Sequence, residues 1–227
     1  MSGLAFLSPG ADAVAKSPME PGTVAAGATI ENRDGWNVAT AFPGQDDFLS
    51  TIGFADVSHL GKLEIQGDVA AITGRDLQLG RALRADRAWW CRYTAQRAVV
   101  LCSPGEAAAL RDRLTTSAAD ANGLASVIDT TTSQGAMTVV GPLAREVFAR
   151  FTAIDLRPQI TPVHAFRPGS VARTGGAILC EAPDRYLMLF GAALGQYVWT
   201  VVDDAARRLG GGPVGFDSLV REETASA

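Results

Sequence analysis

An aspartate, a serine and a histidine fall within four residues in the stretch GFADVSHLGKLEIQG, Gly53 to Gly67, and the histidine is one of only two in the chain. Asp56, Ser58 and His59 are the residue types of nucleophile, base and acid catalysis, so the spacing has to be tested against that chemistry. Successive side chains on a strand point to opposite faces, which turns Asp56 and Ser58 away from His59. A catalytic triad needs side chains that converge from separate segments. A second stretch with the same local pattern, DTTTSQ at 129–134, carries no histidine. The spacing therefore favours Asp56 and Ser58 bonding nearby backbone where a strand leaves a turn.

The other candidates are weaker. His164 sits in the proline-rich TPVHAFRPG and reads as surface or edge packing. Of Trp89 and Trp90, one is expected in the core and the other at the surface as an interface anchor, because a strand sends them to opposite faces. Arg173, before Thr174-Gly175-Gly176, has the chemistry to hold a carboxylate in a bidentate pair, and Arg145 reads as the exposed side of a helix. Asp203 and Asp204 stand four residues before Arg207 and Arg208, the spacing of a solvated helix face. Neither GRDLQLG nor GGGP is a dinucleotide fingerprint. Three scattered cysteines (Cys91, Cys102, Cys180) and two distant histidines make no zinc pattern; no metal site is expected, and the thiols read as buried residues of a reducing compartment.

Bulk properties bound the rest. The 227 residues are 47% hydrophobic and 19% charged, which suits a globular body with a real core. A net charge of -4 without a basic block argues against nucleic acid as the main partner. The opening MSGLAFLSPGADAVAKSP lacks the basic flank and apolar length of a signal segment, and no apolar run is long enough to span a membrane. A cytoplasmic location is expected, with a mobile N-terminus over 1–16, a body over 17–223 and a tail over 224–227.

The body repeats itself. KLEIQG alternates as a half-buried strand, and Gly67-Asp68 then opens the short apolar helix VAAI. AMTVVGPLAREVFARF, 136–151, does the same: a strand ends at Gly141, Pro142 takes the first helical position, and Leu143, Val147, Phe148 and Phe151 share one face. Upstream, FADVS parallels VIDTT. Downstream, 90–114 parallels 178–202 as strand, turn, strand, helix, with Arg97 and Arg185 in equivalent places. Ser103, Pro104 and Glu106 read as a capping box. The last helix turns Leu194, Val198, Val201, Val202, Ala205 and Leu209 inward and stops at Gly210-Gly211-Gly212-Pro213. The predicted fold class is α+β: a duplicated strand-strand-helix-strand-strand-helix unit, about 53–117 and 125–212, whose copies bury their apolar sheets together.

Several of these stretches carry a family resemblance. FADVSHLGKLEIQG resembles the DVSHMG strand pair of glycine-cleavage T-proteins, the aminomethyltransferases. Ser17-Pro18, Ala26-Gly27-Ala28 and Gly35-Trp36 follow the family's opening in order. VVGPLAREVF resembles its GPxAR segment, ARTGG (172–176) the start of its RTGYTGE motif, and GPVGFDSLVREE (212–223) its closing motif. The resemblance, over about 17–223, implies a folate-binding-like fold made of a duplicated unit with exchanged strands. The family's DGGIIDDL hairpin, whose aspartate belongs to the one-carbon chemistry, is replaced by LGRALRADRAWW (79–90) with Asp86 its lone carboxylate. GAILCE stands where the family has YTGE, which moves Glu181 to a strand end. The C-terminal barrel has no counterpart. That shortened form resembles the gamma subunit of heterotetrameric sarcosine oxidases, whose larger chains carry FAD, FMN, NAD and the folate site. The resemblance implies a non-catalytic accessory subunit with no cofactor of its own and flavin-bearing partners. Two alternatives stand beside it: a stand-alone tetrahydrofolate-dependent aminomethyltransferase or demethylase module, with Asp56, His59 and Arg173 as its cofactor contacts, and a T-protein-fold scaffold without enzymatic role.

Overall fold

The computed structural model describes residues 13–121 and 123–225. In chain order the elements are α1 (Glu20–Ala25), β1 (Thr29–Arg33), β2 (Trp36–Ala41), β3 (Gly53–Asp56), β4 (Gly61–Gln66), α2 (Val69–Thr73), β5 (Ala82–Ala85), β6 (Ala88–Thr94), β7 (Arg97–Cys102), α3 (Pro104–Asp120), β8 (Ser126–Asp129), β9 (Gln134–Val140), α4 (Ala144–Phe148), β10 (Phe166–Val171), β11 (Thr174–Ala182), β12 (Arg185–Gly191), α5 (Gly195–Arg207), β13 (Gly212–Pro213) and α6 (Phe216–Ala225). The predicted unit is present twice. Each copy also carries one further strand, β5 or β10, ahead of its second hairpin. Both strands hide in the sequence for physical reasons. ALRA is too short to show a period, and FRPGSV carries a proline and a glycine that only an edge strand accepts.

The two copies exchange their first strands. One sheet has the order β10-β11-β12-β9-β3-β13 and the other β5-β6-β7-β4-β8. β3 of the first copy thus pairs antiparallel with β9 of the second, and β8 of the second with β4 of the first. The sheets stack face to face over a shared core that includes Val57, Trp89, Leu101, Leu179 and Leu187. The outer face of the larger sheet is covered by α1, α4 and α5 through Met19, Phe148, Trp199 and Val202, and that of the smaller sheet by α2 and α3 through Ile72, Leu110 and Leu114. Burial on both faces is what one copy cannot achieve by itself.

Several local expectations change. Leu63 and Ile65 do face the helices, but Glu64 on the other side is buried too, because that side meets the second sheet. Asp68 caps α2 through its carboxylate, which accepts from the N–H groups of Ala70 and Ala71, both at 3.1 Å. Ser103 stands at the N-cap of α3 without a side-chain capping bond. Pro142 lies in the turn before α4, which starts at Ala144. On α5, Val198, Val202 and Ala205 point inward as expected, whereas Leu194 is exposed in the preceding 3₁₀ turn and Trp199 joins the core. Ala15, within the N-terminal segment, is held by backbone bonds to Gly35 and Asn37 of 2.8 and 2.9 Å; residues 1–12 and 226–227 lie outside the described residues. Among the described residues no helix is long and apolar enough to cross a membrane.

Candidate functional site

Asp56, Ser58 and His59 occupy the end of β3 and the turn into β4, where the two strand exchanges cross. The Asp56 carboxylate accepts the Ser58 N–H at 2.9 Å. The Ser58 hydroxyl accepts the N–H of Ala136 at 3.1 Å and donates to its carbonyl at 3.3 Å, while Val57 N–H donates to the same carbonyl at 3.0 Å. The second copy repeats this arrangement, except that the hydroxyl donating to the clasped carbonyl, at 3.0 Å, belongs to Thr130. Asp129 accepts the Thr131 N–H at 2.9 Å, the Thr131 hydroxyl accepts the N–H of Lys62 at 3.0 Å, and Thr130 N–H donates to the Lys62 carbonyl at 2.8 Å. In both copies an aspartate folds the turn, and a hydroxyl two residues on clasps the opposite copy's strand. The local-backbone reading is correct for Asp56. Ser58 reaches further, to a residue 78 positions away.

Two of the side chains that depart from that symmetry are titratable. His59 takes the place of Thr132, and Lys62 that of Ala136. His59 is buried with its ring edge-on to Phe216 of α6, centroids 4.5 Å apart. Burial, with the positive charges of Lys62 and Arg33 in addition, pulls its imidazole down to about 4, so it is neutral at pH 7. Lys62 is fully buried, and its ammonium donates to the carbonyls of Ser58 and Leu60 at 2.8 and 2.7 Å. Burial pulls it down to about 8 against the attraction of Asp56, Asp129 and Cys102. The Asp56 carboxyl is pushed above its usual range by burial, against hydrogen bonds from Ser17 and Ser58 and the charge of Lys62. Lys62 is the residue that sequence reasoning missed. Its one visible signal is a charged side chain leading a strand otherwise read as half-buried.

A cleft of about 590 Å³ opens between the two sheets under α6, lined by Val57, Leu60, Trp89, Leu187 and Phe216 among its apolar residues. Its polar centre is Glu181, which accepts Trp89 Nε1–H at 3.1 Å and Arg185 Nε–H at 3.2 Å. Arg185 also donates to the Leu219 carbonyl of α6 at 3.3 Å, and the Arg84 guanidinium lies 5.3 Å from the Trp89 ring centre. Trp89 and Trp90 are both buried, in separate cores on the two faces of β6, so neither is an exposed anchor. Asp86 sits at the β5–β6 hairpin tip with positive φ and pairs with Arg75, at the rim of the same cleft.

The remaining candidates are dispersed. Arg173 is exposed at the tip of the β10–β11 hairpin, with β12 and β9 lying between that hairpin and β3. None of Asp56, His59 and Arg173 lines the cleft, and Arg173 stands two strands away from β3. His164 is exposed and stands edge-on to Trp89, centroids 5.1 Å apart. Arg145 is half-buried on α4. Arg207 and Arg208 meet Asp203 and Asp204 at 2.8 and 3.0 Å on the solvated face of α5. All three cysteines are free and buried, and no cluster of three metal-ligating side chains occurs among the described residues.

A sheet pair with exchanged strands, helices on both outer faces and a cleft between the sheets can be compared with solved structures. Heterotetrameric sarcosine oxidase from Corynebacterium sp. U-96, in complex with pyrrole 2-carboxylate, contains a chain that superposes with a TM-score of 0.68 at 16% identity, over 88% of this chain and 98% of that one. The glycine cleavage system aminomethyltransferase T of Bartonella henselae superposes with a TM-score of 0.71 at 16% identity, over 90% of this chain. The chain has a T-protein-like fold. It spans 60% of the length of the aminomethyltransferase. No family sequence model and no curated protein matches the T-protein-like chain.

Proposed function

We propose that the chain is a non-catalytic accessory subunit of a flavin- and folate-linked oxidase of sarcosine or related N-methyl amino acids. The observation that carries this reading is the condition of the Asp-Ser-His cluster. Asp56 and Ser58 are occupied in holding the strand exchange, and His59 is buried, neutral and packed on Phe216. A general base has to reach its substrate's proton within hydrogen-bonding distance, which a buried ring does not. The near-complete superposition on a chain of a heterotetrameric sarcosine oxidase supports the same reading. FAD, FMN and NAD then belong to larger partner chains. Three buried free thiols agree with a cytoplasmic location.

The test is reconstitution. The chain by itself does not oxidise sarcosine, and oxidation appears when flavin-bearing chains from the same genome are added and a complex heavier than 23.7 kDa forms. Turnover by the isolated chain overturns the reading.

The cleft favours a second reading, a tetrahydrofolate-dependent aminomethyl transfer module. Its volume and its mixture of aromatic wall and charged centre suit a small amphipathic ligand. The residues named for folate from sequence do not fit one site: none of them lines the cleft, and Arg173 stands at a hairpin separated from β3 by two strands. Within the cleft, both oxygens of Glu181 are already engaged by Trp89 and Arg185. Calorimetric titration of the isolated chain with tetrahydrofolate decides between the two, since the accessory reading expects no heat of binding.

A further inference from the structure

The seam where β5 meets the loop leading into β10 is exposed, apolar and cationic. Backbone bonds hold its two sides together: Ala82 N–H donates to the His164 carbonyl at 2.8 Å and Phe166 N–H to the Gly80 carbonyl at 2.9 Å. The Arg167 guanidinium pins the same place, donating to the carbonyls of Gly80 and Ile160 at 2.7 and 2.6 Å. On this rigid frame stand Leu79 at 59% exposure, Ile160 at 49% and Val163 at 36%. Three large apolar side chains uncovered on segments that these bonds tie together mark an interaction surface rather than scattered exposure.

The charge of the seam is opposite to that of the molecule. Residues 77–83 and 155–167 hold three arginines (Arg81, Arg157, Arg167) against one carboxylate, Asp155, so the seam carries +2 on a chain of net charge -4. Two copies meeting seam to seam would bring like charges together, which disfavours self-association through this face. An acidic surface with apolar side chains between its carboxylates complements it in both respects. We propose that this seam is the docking surface for an acidic, apolar-bearing face of a partner protein; the inference rests on the accessory-subunit reading and names the face that meets the partner.

The test uses the chain co-expressed with the flavin-bearing chains of the sarcosine oxidase from the same genome. Complex formation is followed by native mass spectrometry, and Kd is measured by biolayer interferometry at about 0.05 M and about 0.3 M salt, where screening of exposed charges differs. R81E is expected to raise Kd about tenfold or more at low salt and less at high salt. The double variant L79S/I160S is expected to raise Kd by a similar factor at both salts, with unchanged thermal melting. V24D, on the exposed side of α1, serves as a remote control and stays within about twofold of the parent. A complex that forms with parent affinity in R81E and in L79S/I160S overturns the seam and leaves the subunit reading standing. Absence of any complex with the unmodified chain overturns both. A dimer of the isolated chain that L79S/I160S dissociates also overturns the proposal, because the occupant is then a second copy.

Discussion

Replacing Ser58 by alanine tests the clasp most simply. The hydroxyl is buried; it accepts Ala136 N–H at 3.1 Å, donates to its carbonyl at 3.3 Å, and stands within hydrogen-bonding reach of the Asp56 carboxyl. The carbonyl keeps its bond from Val57 N–H, so the loss falls on the N–H. A buried donor left without a partner costs about 1–3 kcal/mol, and the second bond adds about 1 kcal/mol or less, since it is long. Ser58→Ala should therefore lower stability by about 1–4 kcal/mol. Thr131→Ala removes the equivalent acceptor of the Lys62 N–H at a half-buried position and should lower it by about 1 kcal/mol. Urea unfolding monitored by tryptophan fluorescence measures both, with an unchanged m-value showing that the same surface is exposed. A Ser58→Ala variant within about 0.5 kcal/mol of the parent, or a Thr131→Ala variant costing more than Ser58→Ala, would refute the clasp.

Three further outcomes follow from the same geometry. The His59 pKa of about 4 lies below its ordinary 6.5, so the unfolded state binds more protons between those values and stability falls as pH drops through that window by up to about 3 kcal/mol; His59→Gln should remove that share of the slope in urea titrations between pH 4 and 6.5. Lys62, lowered from 10.5 to about 8, makes stability rise by up to about 3 kcal/mol as pH increases from 8 to 10.5, and Lys62→Met should flatten the curve there; equal slopes in parent and variant would contradict the burial of the ammonium. A Cβ at Gly215 would come within 2.0 Å of the Thr40 carbonyl oxygen, so Gly215→Ala should detach α6 from β2, with limited proteolysis cutting first between β13 and α6; parent-like protection would show that the backbone shifts without cost.

Much of this architecture is legible because duplication writes the same pattern twice. Alternation in KLEIQG and AMTVVG, the turns before Arg97 and Arg185, and the i,i+4 pairs on α5 each depend on local periods that sequence displays. The T-protein resemblance adds the exchanged strands, which no local pattern encodes. What stays hidden depends on the second sheet. Whether Glu64 faces solvent, whether both Trp89 and Trp90 are covered, and whether Lys62 is dry are settled by contacts with strands far away in sequence. For the Asp-Ser-His cluster, strand alternation points away from a triad, but for an incomplete reason. Ser58 and His59 sit in a turn rather than on a strand, and the bonds that occupy the cluster are what exclude a triad. The cleft is legible only in part: Arg185 stands out for its place after a turn and Glu181 for its place at a strand end, but nothing local joins them to Trp89.

On the proposed reading, Asp56, Ser58 and His59 build the fold and take no part in chemistry. The turnover number for sarcosine of the reconstituted oxidase carrying His59→Gln in this chain tests that claim most directly. A kcat within about twofold of the parent is expected once assembly is complete; a loss of about 100-fold or more with the complex intact, the size expected when a general base is removed, would contradict it.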